Sequence, residues 1–491
     1  MSKNAIDGLK PELIWQRFYE ITQVPRPSKK EGKILEYLRN FAREHKIEFR
    51  EDAVGNIVYV IPAAKGYENA PLVVLQGHVD MVCEKNKGTE HDFDNDPLKL
   101  KREGDWLKAE GTTLGSDNGI GVAAALAVAT DPTVVHGPLE CLFTVDEETG
   151  LTGANNLQPG FITGKILLNM DSEEDGAFYI GCSGGQDSQG IMKIDYTDAP
   201  SGLKAYSISV GGLKGGHSGL DIDKGRANAI KMLARILNKL SVYDFYIASL
   251  EGGSKRNAIP REAECIILLN EKDFQKAVQI IASAEKDFVN EFKRVEPDIK
   301  LSIEPAGQDY HSVFTKTFQT KVIKTLLGVP HGVVEMSQDM PGLVETSTNL
   351  ATVNMANGQL VIGTSQRSSI ESAKKYIAES VRAVFSMAGA EIQSGDGYPG
   401  WKPDLDSTVL KTSVNVFRDL FGKEPELKAI HAGLECGILG DKYPGTEMIS
   451  FGPTIEGAHS PDEKINIPTV EKFYNLLIAI LKNIAETKKP A

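Results

Sequence analysis

At 491 residues, with 41% hydrophobic and 25% charged side chains, the chain has the composition of globular protein and the length of roughly two to four domains. A formal net charge of -13 at pH 7 excludes a role that needs a broad basic face, so nucleic acid is not an expected partner. The five cysteines, Cys83, Cys141, Cys182, Cys265 and Cys436, are odd in number and lack CxxC spacing. With no apolar leader and no apolar run near the ~18 residues of a membrane span, they lead us to expect a cytoplasmic, soluble protein without a membrane partner.

The first third alternates helix and strand. PELIWQRFYEITQV and EGKILEYLRNFAREH carry apolar residues at helical spacing, NIVYVIPA and LVVLQ are β-rich, GIGVAAALAVAT is a helix, and CLFTV and KILLNM are apolar runs of buried-strand type. This order predicts an α/β domain with a mostly parallel sheet flanked by helices. In the middle third AYSISVGGL is a strand, GRANAIKMLARILNKL an amphipathic helix, AECIILLN a strand and FQKAVQIIASAEKDFVNEF a helix. After a stretch of turns come the hairpin LATVNMANGQLVIGTSQRS, the helix SAKKYIAESVRAVFSMA and the strand AEIQSG. Two successive sets predict an inserted α+β lid domain with two subunits of ferredoxin-like type, leaving through the turn-rich GDGYPGWKP at 395–403. The remainder, with STVLKTSVNVFRDLFG, TEMISFGP and VEKFYNLLIAILKNIAE, returns to the earlier style. The predicted organisation is a discontinuous domain over residues 1–186 and 401–491 and a lid over residues 187–400, hinged near 186 and 400.

In LQGHVDMVCE, His78 and Asp80 lie two apart on extended backbone and point the same way. Asp117 in GTTLGSDNGIG, Glu147 and Glu148 in CLFTVDEETG, Asp171 in ILLNMDSEEDG and His459 in ISFGPTIEGAHSPDE join them. All but Asp117 come at or shortly after the carboxyl end of an apolar strand, and Asp117 just precedes a helix. In open α/β sheets that rim binds ligands. Taken singly, each carboxylate is more simply a helix cap and each histidine a solvated loop residue; their joint order argues for a cluster. Carboxylates so crowded would take up protons unless divalent cations joined them. The imidazole and carboxylate donors suit two zinc ions, with manganese or cobalt as alternatives. The count assigns His78, Asp117 and Asp171 to one metal and Asp117, Glu148 and His459 to the other. Asp80 is then free to fix the tautomer of His78, and Glu147 to take the proton from the attacking water.

GHVDMV, GSDNGIG, VDEETG, MDSEE and GAHSPDE together resemble the di-zinc exopeptidase family of carboxypeptidases, aminoacylases and dipeptidases. GGLKGGHSG and RNAIP in the insert are similar to that family's lid motifs, so the resemblance covers nearly the whole chain. HAGLECGIL and the double-length insert are most similar to its aminoacyl-histidine dipeptidase branch. The resemblance implies a zinc-peptidase-like catalytic domain, the same metal ligands with Asp117 as the bridge, Glu147 as general base, and a cis peptide after Asp117. An Asp at position 171 resembles the aminopeptidase and dipeptidase members more than the deacylases. It further implies that His217 stabilises the oxyanion, that Asn257 and Arg367 bind the substrate's backbone carbonyl or carboxylate, and that Glu435 or His431 meets its amino group.

The expected activity is therefore metal-dependent hydrolysis of small dipeptides with a free amino terminus, such as Xaa-His including β-alanyl-histidine, by a bridging hydroxide. An N-acyl-amino-acid deacylase or amidase of the same fold is the alternative. The resemblance also implies either a homodimer through the lid domain or a duplicated lid that takes the place of a dimer partner. His45, His91, His136, His311 and His331 lie in polar or turn contexts and are expected at the surface, and Cys83 and Cys182 show no sign of a nucleophile's base.

Overall fold

Apolar runs that bury every side chain need cover on both faces, which is the situation of central parallel strands. In the computed structural model, which describes residues 3–395 and 397–487, these runs form an eight-stranded sheet. Its strands in chain order are Glu48–Glu51 (β1), Ile57–Ile61 (β2), Val73–His78 (β3), Leu139–Thr144 (β4), Ile166–Asn169 (β5), Ala177–Cys182 (β6), Glu426–Ile430 (β7) and Glu447–Ser450 (β8). Across the sheet they run 1-2-4-3-5-8-6-7. The central four, β4, β3, β5 and β8, are mutually parallel, with β2 antiparallel on one side and β6 antiparallel on the other. Both β3 and β4 are buried along their whole length.

The helix Ser116–Thr130, apolar all round and buried from Asn118 to Val128, packs on β3 and on the helix Glu12–Thr22. The helix Ile467–Glu486 packs on Thr408–Phe421, which lies against β8. Phe178, Phe417, Phe451 and Phe473 meet ring to ring in this layer. Each such aromatic or branched side chain contributes about 1.5 to 3 kcal/mol on burial, which anchors the strand ends from which the site residues project. Among the described residues, no helix is long and apolar enough to cross a membrane.

Two compact units divide the chain: Met1–Gly181, Pro403–Ala429 and Leu434–Ala491 form one, and Cys182–Lys402 with Ile430–Gly433 the other. The second unit carries a nine-stranded sheet. Its path runs Lys300–Pro305, Leu203–Gly211, Ala263–Asn270, Phe245–Gly252, Val344–Ala356, Gln359–Ser368, Gly184–Lys193, Glu391–Ser394, with Gly332–Met336 beside Val344–Ala356. The two strand sets meet where Gly252 pairs Val353. One continuous core serves both, gathering Ile208, Leu237, Phe288, Leu326, Ile362 and Phe385. Of the exit stretch 395–403, Asp396 lies outside the described residues.

Three expectations are corrected. Residues 293–349, read as turns, contain the strands Lys300–Pro305, Ser312–Phe314 and Gly332–Met336, the helix Lys316–Gly328 and the start of the strand Val344–Ala356. Lysines and threonines dilute the apolar spacing of that helix, yet Phe318, Val322, Ile323 and Leu326 are buried, and Thr315 caps its start through Phe318 N–H at 3.3 Å. At its far end the Lys231 ammonium donates to the carbonyls of Leu326, Leu327 and Val329. His136 is buried with Nδ1 2.7 Å from the Gly137 carbonyl. His331 is partly buried beside Asn228, and burial lowers its pKa to about 4; neither is a surface group.

Candidate active site

Because four neighbouring strands are parallel, their carboxyl ends share one edge, and four short segments leave from it. His78 is the last residue of β3, Glu147 and Glu148 follow β4, Asp171 follows β5, and His459 follows β8. Asp117 enters beside them from the amino end of the helix on β3, where its backbone is still extended (φ -79°, ψ 111°). The Asp117–Asn118 peptide is cis. The side chains converge. His78 Nε2 lies 3.0 Å from Asp117 Oδ1 and 3.4 Å from Asp171 Oδ1. His459 Nε2 lies 3.1 Å from Asp117 Oδ2 and 3.0 Å from Glu148 Oε2. His78 is fully buried, Glu148 and Asp171 nearly so, and His459 is half exposed.

Asp80 ties two of these segments together. Its Oδ1 is 3.4 Å from His78 Nδ1 and accepts the Glu147 N–H at 3.0 Å, while Oδ2 accepts the Glu148 N–H at 3.3 Å and the Ser28 hydroxyl at 2.8 Å. Two further supports escape sequence reasoning. Arg26, 1% exposed, donates to the carbonyls of Val79, Asp80 and Gly115 and so links the turn after β3 to the turn before Asp117. Glu463, 2% exposed, accepts from the backbone N–H groups of Leu114 (2.8 Å), Gly115 (2.9 Å) and Ser116 (2.7 Å) and from the Ser116 hydroxyl (2.6 Å). Its Oε1 also lies 3.4 Å from Asp117 N. The only signal for Glu463 was its place as the last carboxylate of GAHSPDE; Arg26 gave none.

The electrostatics are those of acids crowded out of water. Burial raises the Asp171 carboxyl to about 7 against the opposing pull of His78, and burial lifts Glu147 well above the usual range. Hydrogen bonds to Asp117 and Glu148 raise His459 to about 11. Burial alone would raise Asp117, but the two imidazoles outweigh it and hold its carboxyl well below the usual range. Some of these carboxylates hold protons at neutral pH unless positive charge is added.

The donor set fits a pair of divalent cations. His78, Asp117 and Glu148 each offer an atom within 4.8 Å of the others. Glu148 Oε1 and Asp171 Oδ1 are buried with no hydrogen-bond partner among the described residues, a costly state that a cation relieves. Two imidazoles and three carboxylates match the ligand chemistry of zinc, manganese or cobalt. A second buried group, Glu31, Asp80 and Asp146, is already supplied with donors: Asp146 takes the hydroxyls of Thr149 and Thr152, and Glu31 the N–H groups of Lys29 and Asp146.

Glu435 lies in the first unit, 1% exposed. Its Oε2 accepts from Gln76 (2.6 Å) and Thr144 (2.8 Å), its Oε1 is buried without a hydrogen-bond partner among the described residues, and burial raises it to about 7. The second unit holds the other four expected residues. His217 pairs with Ala258 across a short two-stranded ladder, which brings it next to Asn257. Its Nδ1 faces the N–H groups of Gly219 (3.2 Å) and Leu220 (3.1 Å). Arg367 is 7% exposed and donates to the Tyr398 hydroxyl at 3.0 Å. His431 Nε2 lies 2.7 Å from the Ser347 hydroxyl.

The sequence profile of peptidase family M20/M25/M40 matches residues 74–483. Over 482 residues, 98% of this chain and 99% of the relative, the sequence is 40% identical to the cytosol non-specific dipeptidase of Escherichia coli (strain K12). Among solved structures it is similar to an aminoacylhistidine dipeptidase from Vibrio alginolyticus, with a TM-score of 0.92 and 40% identity over 98% of this chain and 99% of that one. The aminopeptidase PepT from Bacillus cereus, at 17% identity and a TM-score of 0.57 over 97% of this chain and 100% of that one, shares the fold.

Proposed function

The chain belongs to peptidase family M20/M25/M40, and from that premise we propose that it is a cytoplasmic metallopeptidase that hydrolyses dipeptides with a free amino terminus, Xaa-His dipeptides such as β-alanyl-histidine among them. The two relatives at 40% identity named above carry dipeptidase activity in their names. The observation that bears most weight is Asp117, whose two oxygens each face a different imidazole Nε2, at 3.0 and 3.1 Å, while each imidazole has a second carboxylate beside it. That is the pattern of a carboxylate shared between two ions.

His78, Asp117 and Asp171 would hold one ion and Asp117, Glu148 and His459 the other, with zinc as the proposed metal and manganese or cobalt as alternatives. When bound, the ions would polarise the scissile carbonyl and ease deprotonation of water. Glu147 takes the proton from the attacking water and returns it to the leaving amine, a pair of roles that a carboxyl raised by burial suits. Asp80 keeps His78 in one tautomer and holds the backbone of Glu147 and Glu148.

His217 accepts two backbone N–H groups at Nδ1, so its ring hydrogen sits on Nε2. Burial, helped by Arg367, lowers its pKa and keeps the ring neutral, as a donor to a developing oxyanion should be. Arg367 receives the substrate's carboxylate and Asn257 its backbone carbonyl. For the free amino group Glu435, with one oxygen unpartnered among the described residues, is a better acceptor than His431, whose Nε2 is engaged by Ser347.

The test is hydrolysis of unblocked dipeptides, β-alanyl-histidine and N-acetylated amino acids by protein supplied with zinc, manganese or cobalt, with and without a chelator. Cleavage of the unblocked substrates, lost with chelator and restored by metal, is expected. Preferred cleavage of the N-acetylated compounds, or turnover indifferent to chelation, overturns the reading.

A further inference from the structure

Arg367 stands on the strand Gln359–Ser368, between Ser347 on one neighbour and Gly185 on the other. It is a buried cation without a carboxylate partner among the described residues: Nε is buried and unbonded, and its one side-chain contact is Nη1 to the Tyr398 hydroxyl at 3.0 Å. A desolvated guanidinium so poorly matched is costly unless an anion completes it. Of the neighbouring groups, Ser347 and His431 bring no negative charge, and the carboxylate that does act on Tyr398, Asp187, is paired with Arg256 at 3.0 Å. Ser347 is engaged with His431, and His431 is held neutral by burial.

Tyr398 is held in an isolated antiparallel bridge with Gly185. Its N–H donates to the Gly185 carbonyl at 2.9 Å, its carbonyl accepts the Gly185 N–H at 3.0 Å, and the Lys374 ammonium donates to the same carbonyl at 2.6 Å. Its ring lies against the backbones of Gly185 and Gly433, where an added Cβ would come within 2.7 and 2.8 Å of ring atoms. Only glycine at both positions leaves the ring its place. The phenol oxygen accepts from Arg367, and among the described residues nothing accepts its own hydrogen. Burial raises its pKa, so that hydrogen is retained at neutral pH.

We infer that Tyr398 determines specificity for a free terminal carboxylate: its hydroxyl aligns the Arg367 fork and donates its own hydrogen to a ligand carboxylate bound there. The inference rests on the reading of Arg367 given above and adds a second donor to it. A fork and a phenol hydroxyl together present three hydrogens to two carboxylate oxygens, and a terminal amide, with one acceptor and two donors of its own, fits them badly.

The experiment compares KM and kcat of the metal-supplemented wild type and Tyr398→Phe for one dipeptide and for its C-terminal amide. In the variant, KM for the free acid rises about 10-fold or more, the range of a lost hydrogen bond to a charged group, while its kcat and the amide's KM stay near wild type. Gly433→Ala, which displaces the ring without removing the hydroxyl, gives the same signature if Tyr398→Phe does not fold. A variant that keeps the wild-type preference for the free acid, loses both substrates equally, or changes only kcat overturns the role of Tyr398 alone. A wild type indifferent to amidation overturns the carboxylate assignment of Arg367 as well.

Discussion

Replacing Glu463 by glutamine tests whether the turn before Asp117 is built around a buried carboxylate. With the amide oxygen toward Ser116 and Asp117, the amide nitrogen takes the place of Oε2, which accepts the N–H groups of Leu114 and Gly115 at 2.8 and 2.9 Å. Two buried donors then face a third donor. Each unsatisfied group costs about 1 to 3 kcal/mol, so Glu463→Gln destabilises the unit by about 2 to 6 kcal/mol. At about 2 °C per kcal/mol for a cooperative unit of this size, the melting temperature falls by about 4 to 12 °C. The turn also presents Asp117, the carboxylate that both imidazoles face, so metal affinity drops by about 10- to 100-fold, as for other groups that orient ligands. Thermal melting of the metal-free protein and direct titration with zinc measure the two effects separately. A variant with wild-type melting and wild-type zinc affinity refutes the reasoning, because the five contacts to Glu463 would then carry nothing.

Glu147→Gln retains the shape of the site and removes the proton acceptor; kcat falls by about 100- to 10,000-fold with metal content unchanged, and near wild-type turnover in a fully metallated variant rules out the assigned base. In the second unit, burial first, then the charge of Arg367, lowers His431 to about 3 from 6.5. Because the folded value is depressed, the unfolded chain binds the proton more tightly between these values. Stability is complete above about pH 6.5 and is lost as pH falls toward 3, by about 5 kcal/mol in all. Urea denaturation of wild type and His431→Gln from pH 7 to pH 4 reads this out; an acid limb equally steep in both contradicts it.

The strands that carry the site are legible because LVVLQ, CLFTV, KILLNM and TEMISF are short apolar runs between turns, and strands buried on both faces need nothing else. The gathering of His78, Asp117, Glu148, Asp171 and His459 is legible for a related reason. Their residue types and strand-end positions are local facts, and parallel pairing turns those positions into one edge. The helix Lys316–Gly328 is hidden because its apolar stripe is interrupted by lysines whose stems the fold accommodates. Arg26 and Glu463 are hidden for a different reason. Each acts on main-chain groups, of Val79, Asp80 and Gly115 or of Leu114 to Asp117, and a main-chain partner leaves no mark on the sequence that contains it. Tyr398 is similar, since the glycines that shelter it lie in segments about 200 residues before and about 35 residues after it, and each reads locally as a turn.

The position of β8 has a consequence for how the molecule is made. This strand comes near the end of the chain, yet it lies inside the sheet, between β5 and β6, which are synthesised early. A ribosome that has not yet released residue 450 therefore holds a sheet split down its middle, with the hydrogen-bonding edges of two strands open to unwanted pairing. His459 emerges later still, so the nascent protein can gather the His78 side of its cluster long before the other imidazole exists. Stop codons anywhere upstream of β8 should yield sticky, insoluble fragments rather than smaller enzymes.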